Sequence, residues 1–196
     1  MNKDATPASN ETKLGLLNHD ELNIHEAYGL EKTWKYLLDH QQENLDILLV
    51  NQAHKYGFDF LYDWAGQFRR TTPMVGQLEI PEPHQISELL KRLFDDLEYK
   101  IQNFDRNNID QVIDLIAWFE YRFIWIHPYA NTNGRMGRLL ANFILIKLDF
   151  PPLQYANRSE DRKKYIEAMH KADDNDFEQL QNFIAEELDK AISSID

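Results

Sequence analysis

The sequence predicts an all-α fold with one short β element, and three observations carry that prediction. Apolar residues recur at helical spacing through most of the 196 residues. Prolines bound the two most apolar of these runs, at Pro128 and at Pro151-Pro152. A single stretch, Ala65 to Pro81, combines Thr, Val and Phe with glycines and prolines in the manner of a loop or small hairpin. The length suits one domain able to bury a sizeable core, and 43% hydrophobic residues with 12% aromatics are ordinary for a globular chain.

In order along the chain, residues 1 to about 12 are small and polar and read as a disordered tail. Residues 13–196 read as one domain, of which about 13–50 form an N-terminal helical extension. Helix is expected from about Asp20 to Val50, broken near His40-Gln41-Gln42, and again from Asn51 to Trp64 with an interruption at Gly57. From Pro83 to Phe104, residues Ile86, Leu89, Leu90, Leu93, Phe94, Leu97 and Ile101 draw the stripe of an amphipathic surface helix. Asn108 to Ile126 is apolar nearly all round, as a central helix is, and should stop at His127 because a proline follows. A second central helix is expected from about Asn133 to Leu148, ended by Pro151-Pro152. Two more follow, at about Ser159 to Ala172 and Asp176 to Ile192, each with a start suited to capping.

Composition excludes several classes of function. No apolar run approaches the length of a membrane span, and the chain does not open like a signal peptide. The absence of cysteine removes disulfides and thiolate metal sites and fits a cytoplasmic location. A net charge of -12 argues against a nucleic-acid partner. The arginines of one central stretch run against that sign.

That stretch is His127-Pro128-Tyr129-Ala130-Asn131-Thr132-Asn133-Gly134-Arg135-Met136-Gly137-Arg138. It sets an imidazole, a short Asn/Gly turn and two arginines between two strongly apolar helices. A helix starting at Asn133-Gly134 would offer unpaired N–H groups and the positive end of its dipole to an anion. Arg135 and Arg138, three apart, fall on neighbouring turns and can reach the same anion, and guanidinium forks match phosphate oxygens. An imidazole beside such a cradle can take a proton from an attacking hydroxyl. Together these parts point to phosphoryl or nucleotidyl transfer.

The stretch resembles the signature of the Fic (Fic/Doc) family, His-Pro-Phe-x-[Asp/Glu]-Gly-Asn-Gly-Arg-x-x-Arg, at His127, Pro128, Asn133, Gly134, Arg135 and Arg138, with Tyr129 in place of Phe. Asp63-Trp64-Ala65-Gly66-Gln67-Phe68-Arg69 is similar to the segment leading into the family's flap, and Tyr165, Ala168, Asp173 and Phe177 continue the likeness. The resemblance takes in most of the chain from about residue 20 onward and is strongest to short bacterial members. The resemblance implies a Fic-type helical bundle with a small β-hairpin flap next to the active site. It also implies transfer of AMP from ATP to a Ser, Thr or Tyr hydroxyl of a target protein. His127 would be the general base, Asn133 and Gly134 would form the anion hole with backbone groups, Arg135 would hold the phosphates and Arg138 the γ-phosphate. Thr71, Thr72, Met74, Val75 and Gly76 would dock the target by its backbone. Tyr129 would anchor the loop inward.

Two positions depart from the family pattern. Asn131 stands where Asp or Glu is usual, so any Mg²⁺ ligand there is an uncharged amide oxygen. Thr132, counted with the phosphate-binding positions, replaces a glycine, and its β-branch is expected to restrict the backbone and crowd the phosphates. A family inhibitory helix would carry [Ser/Thr]-x-x-x-Glu-[Gly/Asn], its Glu paired with the second arginine. No such string occurs, and Glu26 is the nearest candidate by type, although a helix-surface glutamate is the plainer reading. Restraint could equally come from an antitoxin-like regulator. Alternative functions on the same fold are another phosphate-containing donor, removal of AMP, or a silent partner-binding module. The remaining histidines, His54 among them, form no metal-ligand pair, and Arg69-Arg70 reads as a solvated loop pair.

Overall fold

Asn18 starts the first long helix through a reciprocal cap. Its Oδ1 accepts from the backbone N–H of Asp20 and Glu21, both at 3.0 Å, while its own N–H donates to Glu21 Oε2 at 2.9 Å. Helix α1 runs His19–Asp39, and α2 runs Ile47–Phe58 behind Asp46, whose carboxylate accepts from Leu49 N–H at 2.8 Å. The computed structural model describes residues 11–74, 78–105, 108–155 and 159–194.

Gly57 does not interrupt α2, contrary to the expectation from sequence. It serves the packing of α2 on α1: a Cβ on Gly57 would stand 1.9 Å from Thr33 Oγ1, and one on Gly29 would stand 2.6 Å from Phe58 Cε1. The two glycines let the helices approach, and that contact outweighs their poor helix propensity.

Two compact units make up the chain. The first comprises residues 1–94 and 123–139, the second 95–122 and 140–196. A short antiparallel pair, β1 (Glu11–Thr12) and β2 (Gly15–Leu16), precedes α1. Paired backbone therefore begins at the last two residues of the stretch expected to be tail, and residues 1–10 of that stretch lie outside the described residues. Between Ala65 and Pro81, the region expected to supply the strand, Leu78 is in a lone bridge and the rest of the described backbone is irregular.

Helix α3 spans Ile86–Asn103, with Ile86, Leu90, Leu93, Phe94 and Leu97 buried as its stripe requires. Helices α4 (Ile109–Ile126) and α5 (Asn133–Lys147) bury most of their apolar positions, among them Val112, Ile116 and Phe119 on the first and Leu140, Phe143 and Leu145 on the second. In the second unit, α6 (Ser159–Ala172) and α7 (Glu178–Ser193) pair with each other. Fully buried Glu120 of α4 accepts hydroxyl hydrogen bonds from Tyr155, at 2.5 Å, and from Tyr165. Asn142 holds both backbone groups of Leu153, fixing the turn after Pro151-Pro152. Among the described residues no helix is long and apolar enough to cross a membrane.

Candidate active site

The last turn of α4 and the first turn of α5 cross within the first unit, where a Cβ on Gly137 would meet Ile124 Cγ1 at 2.7 Å. The backbone turns sharply between them. His127 and Thr132 both adopt left-handed conformations, with φ of 51° and 68°. A β-branched residue rarely takes that conformation without being held.

His127 is buried, and its Nδ1 lies 3.3 Å from the Ile124 carbonyl. A carbonyl can only accept, so Nδ1 carries the proton and Nε2 keeps its lone pair. Burial pushes the imidazole down to about 4; the hydrogen bond to the Ile124 carbonyl opposes it, and the Arg69 charge adds a smaller push downward. The ring is a neutral base at neutral pH.

The loop that follows is braced from within. Asn133 Nδ2 donates to the Tyr129 carbonyl and its Oδ1 accepts from Tyr129 N–H, both at 2.8 Å. Tyr129 points inward as expected, with its hydroxyl on Asn51 Oδ1 at 2.8 Å. The Asn133 side chain is thus spent on the loop, and only its backbone can serve an anion. Met136 N–H reaches the Thr132 carbonyl at 2.8 Å. The N–H groups of Asn133, Gly134 and Arg135 belong to the first turn of α5, ahead of any i→i−4 acceptor within the helix. Arg138 folds back over that turn, its Nη1 3.6 Å from where a Gly134 Cβ would stand.

Glu26 joins this cluster from α1, and it is not a surface residue. Only 1% exposed, its carboxylate accepts from Arg135 Nη2 at 2.5 Å, Tyr62 Oη at 2.5 Å and Asn131 Nδ2 at 2.8 Å. The partner is Arg135, whereas a family inhibitory glutamate was expected on the second arginine. Burial, with the Glu26 carboxylate after it, raises the Tyr62 hydroxyl well above its ordinary value, so it remains a donor. Asn131 turns its nitrogen to Glu26 and its oxygen to Thr132 N–H at 2.7 Å. No group of three or more His, Cys, Asp or Glu placed to hold a metal occurs among the described residues.

Thr132 does not crowd the start of α5. Its side chain is buried, with Oγ1 donating to the Asn131 carbonyl at 2.6 Å and lying 3.2 Å from His54 Nε2. Arg69, expected to be solvated, is 5% exposed. Its guanidinium donates to the carbonyls of His127 at 2.6 Å, Thr71 at 2.9 Å, Pro81 at 2.5 Å and Ile126 at 3.4 Å, and its backbone N–H reaches the Pro128 carbonyl at 2.8 Å. Both feet of the 71–81 segment are thereby tied to the His127 turn. Thr72 closes the base against Glu82 at 2.8 Å, and Trp125 Nε1 holds the Glu79 carbonyl at 3.1 Å. Thr71, Thr72 and Met74 are exposed, whereas Val75 and Gly76 lie outside the described residues. Arg70 is solvated, as expected.

Sequence reasoning missed Arg69 and His54. The arginine had one available signal, its place directly after the Trp-Ala-Gly segment. The histidine had none beyond falling on an apolar helix face.

Known proteins share the sequence pattern and the fold of this chain. The model of the Fic/DOC family matches residues 44–145. The protein adenylyltransferase Fic of Nematostella vectensis is 28% identical over 99% of this chain and 45% of its own length. That of Culex quinquefasciatus is 29% identical over 90% of this chain and 35% of its own. The chain thus spans less than half the length of these curated relatives, which are animal proteins. Among solved structures, a Fic-domain signalling protein of Bacteroides thetaiotaomicron superposes with a TM-score of 0.70 at 21% identity, covering 87% of this chain and 69% of that one. The Bartonella tribocorum effector BepC, solved with AMPPNP bound, gives 0.72 at 15% identity over 94% and 95%.

Proposed function

Because the chain belongs to the Fic/DOC family, we propose that it is a protein adenylyltransferase, moving AMP from ATP to a Ser, Thr or Tyr hydroxyl of a target protein. One observation carries the reading most directly: a neutral His127, with its Nε2 lone pair available, stands one short turn before a helix start bearing Arg135 and Arg138. His127 Nε2 takes the hydroxyl proton of the target, and the resulting oxygen attacks the α-phosphorus. The bond to the β-phosphate oxygen breaks and pyrophosphate leaves. Backbone N–H groups of Asn133 and Gly134 receive phosphate oxygens, Arg135 neutralises their charge and Arg138 holds the γ-phosphate. Thr71, Thr72 and Met74, on a segment pinned at both feet, offer the target an edge beside His127. A cysteine-free chain suits a cytosolic setting for this reaction.

Glu26 restrains the site in this reading. While its carboxylate holds Arg135, a phosphate must displace it, and two further donors, Tyr62 and Asn131, keep it in place. Asn131 Oδ1 accepts from Thr132 N–H, so it would offer Mg²⁺ the remaining lone pair of an uncharged oxygen, and the ion would arrive bound to the phosphates of ATP.

Incubation with ATP labelled in the α-phosphate and a cell lysate tests the reading. Labelled protein bands that vanish with His127→Ala are expected. Labelling that persists in H127A, or none even after Glu26→Gln, would refute it.

A further inference from the structure

The buried imidazole of His54 lies outside every step above, yet its surroundings are fully specified. It is 0% exposed in the middle of α2, and its ring stacks on Tyr129 with centroids 3.8 Å apart. Gly66 N–H donates to Nδ1 at 2.9 Å. An N–H can only donate, so Nδ1 is bare and the ring's proton is on Nε2. That proton points at Thr132 Oγ1, 3.2 Å away, and Oγ1 in turn donates to the Asn131 carbonyl at 2.6 Å. The chain from Gly66 to Asn131 has one direction, and each member's donor meets the next member's acceptor.

We infer that His54 is a positioning residue for the phosphate site: through its Nε2–H it holds Thr132 in the left-handed conformation that sets the first turn of α5. Three observations converge on this role. Thr132 has φ of 68°, which a β-branched residue keeps only when its surroundings impose it. Its carbonyl is the acceptor of Met136 N–H, so the conformation of Thr132 fixes where α5 begins and how the N–H groups of Asn133 and Gly134 are aimed. Its own N–H orients the Asn131 amide, whose nitrogen holds Glu26. One buried imidazole thus sets both the anion-binding turn and the donor that keeps Glu26 on Arg135. The shape of the turn follows from the hydrogen bonds alone, while its meaning for nucleotide rests on the adenylyltransferase reading.

The test separates the two. In the Glu26→Gln chain, which releases Arg135, AMPPNP affinity is measured by titration calorimetry. His54→Phe keeps the stacking and removes the donor, and it should weaken binding roughly tenfold, as loss of a coupled network member does. Thr132→Val should do the same from the other side. His54→Gln retains an amide N–H and should recover most of the affinity. Glycine takes a positive φ without restraint, so in a Thr132→Gly background His54→Phe should cost less than roughly twofold, within the spread of uncoupled sites. Equal weakening in both backgrounds would show a general packing role and overturn the inference. Backbone amide resonances of Asn133 and Gly134, recorded without nucleotide, supply the second readout. They should move in H54F and T132V and stay in place in H54Q. If no variant binds AMPPNP while the resonances follow this order, the transferase reading falls and the role of His54 stands. If they do not move in H54F, that role falls whatever the nucleotide does.

Discussion

His54 and His127 are both buried, both are held by backbone or hydroxyl groups, and both have imidazoles pushed down by burial, to about 3 and about 4. They carry opposite tautomers. In the middle of α2 a backbone N–H takes the Nδ1 lone pair of His54, so the ring's proton becomes a fixed donor to Thr132. At the end of α4 a backbone carbonyl takes the Nδ1 proton of His127, so the lone pair on Nε2 is what the ring has to offer. The polarity of one backbone group decides which ring nitrogen keeps the proton and which keeps its lone pair.

Loss of the His127 imidazole should have the largest effect. H127A should lower the rate of AMP transfer by about 10²–10⁴, the usual contribution of a positioned base, while AMPPNP affinity stays within twofold (about the spread between uncoupled sites). Transfer rates paired with binding titrations check both halves. An equal loss of affinity would make His127 a binding group instead.

Acid should act on both rings. Both folded values lie below the 6.5 of a free imidazole, so the unfolded chain takes up protons first as pH falls. Stability is complete above pH 6.5 and is lost as pH drops through that value toward about 3. His54 alone should cost on the order of 4 kcal/mol across that window. Denaturant melts at pH 7, 5.5 and 4.5 measure it, and flat stability over that range would mean the rings are not buried neutral. The transfer rate should hold between pH 6.5 and 5, because His127 is still neutral there.

Arg69 and Arg70 form a smaller contrast. Arg69→Met strips the donor from four buried or half-buried carbonyls and should cost about 3 kcal/mol, whereas Arg70→Ala should stay within about 0.5 kcal/mol. Equal melting shifts for the two would contradict the carbonyl cluster. At Glu26 the expected change is one of affinity. E26Q keeps the shape but releases Arg135, and should strengthen AMPPNP binding roughly tenfold, the scale of an ordinary coupling between two ligands for one site.

The helices were legible because each writes its own periodicity. The stripe from Ile86 to Leu97 and the apolar run to Ile126 gave elements within a few residues of their observed bounds. The loop from His127 to Arg138 was legible because its chemistry is packed into contiguous residues. What stayed hidden depends on partners far apart in the chain. Arg69 meets His127 across 58 positions, His54 meets Thr132 across 78 and Glu26 meets Arg135 across 109. Charge alone makes Arg69 and Arg70 equivalent, and only the carbonyls around one of them tell them apart. Gly57 misled for a related reason, since a helix-weakening residue looks like a break until the α1 face that needs it is in view.

The account stands most directly on intact-mass measurement of the wild-type, E26Q and E26Q/H127A chains after incubation with ATP and Mg²⁺. Self-modification of E26Q by the mass of one AMP, weaker in wild type and absent in E26Q/H127A, is the predicted pattern. An AMP adduct that survives the loss of His127, or an adduct of any other mass, would contradict the reaction proposed for this site.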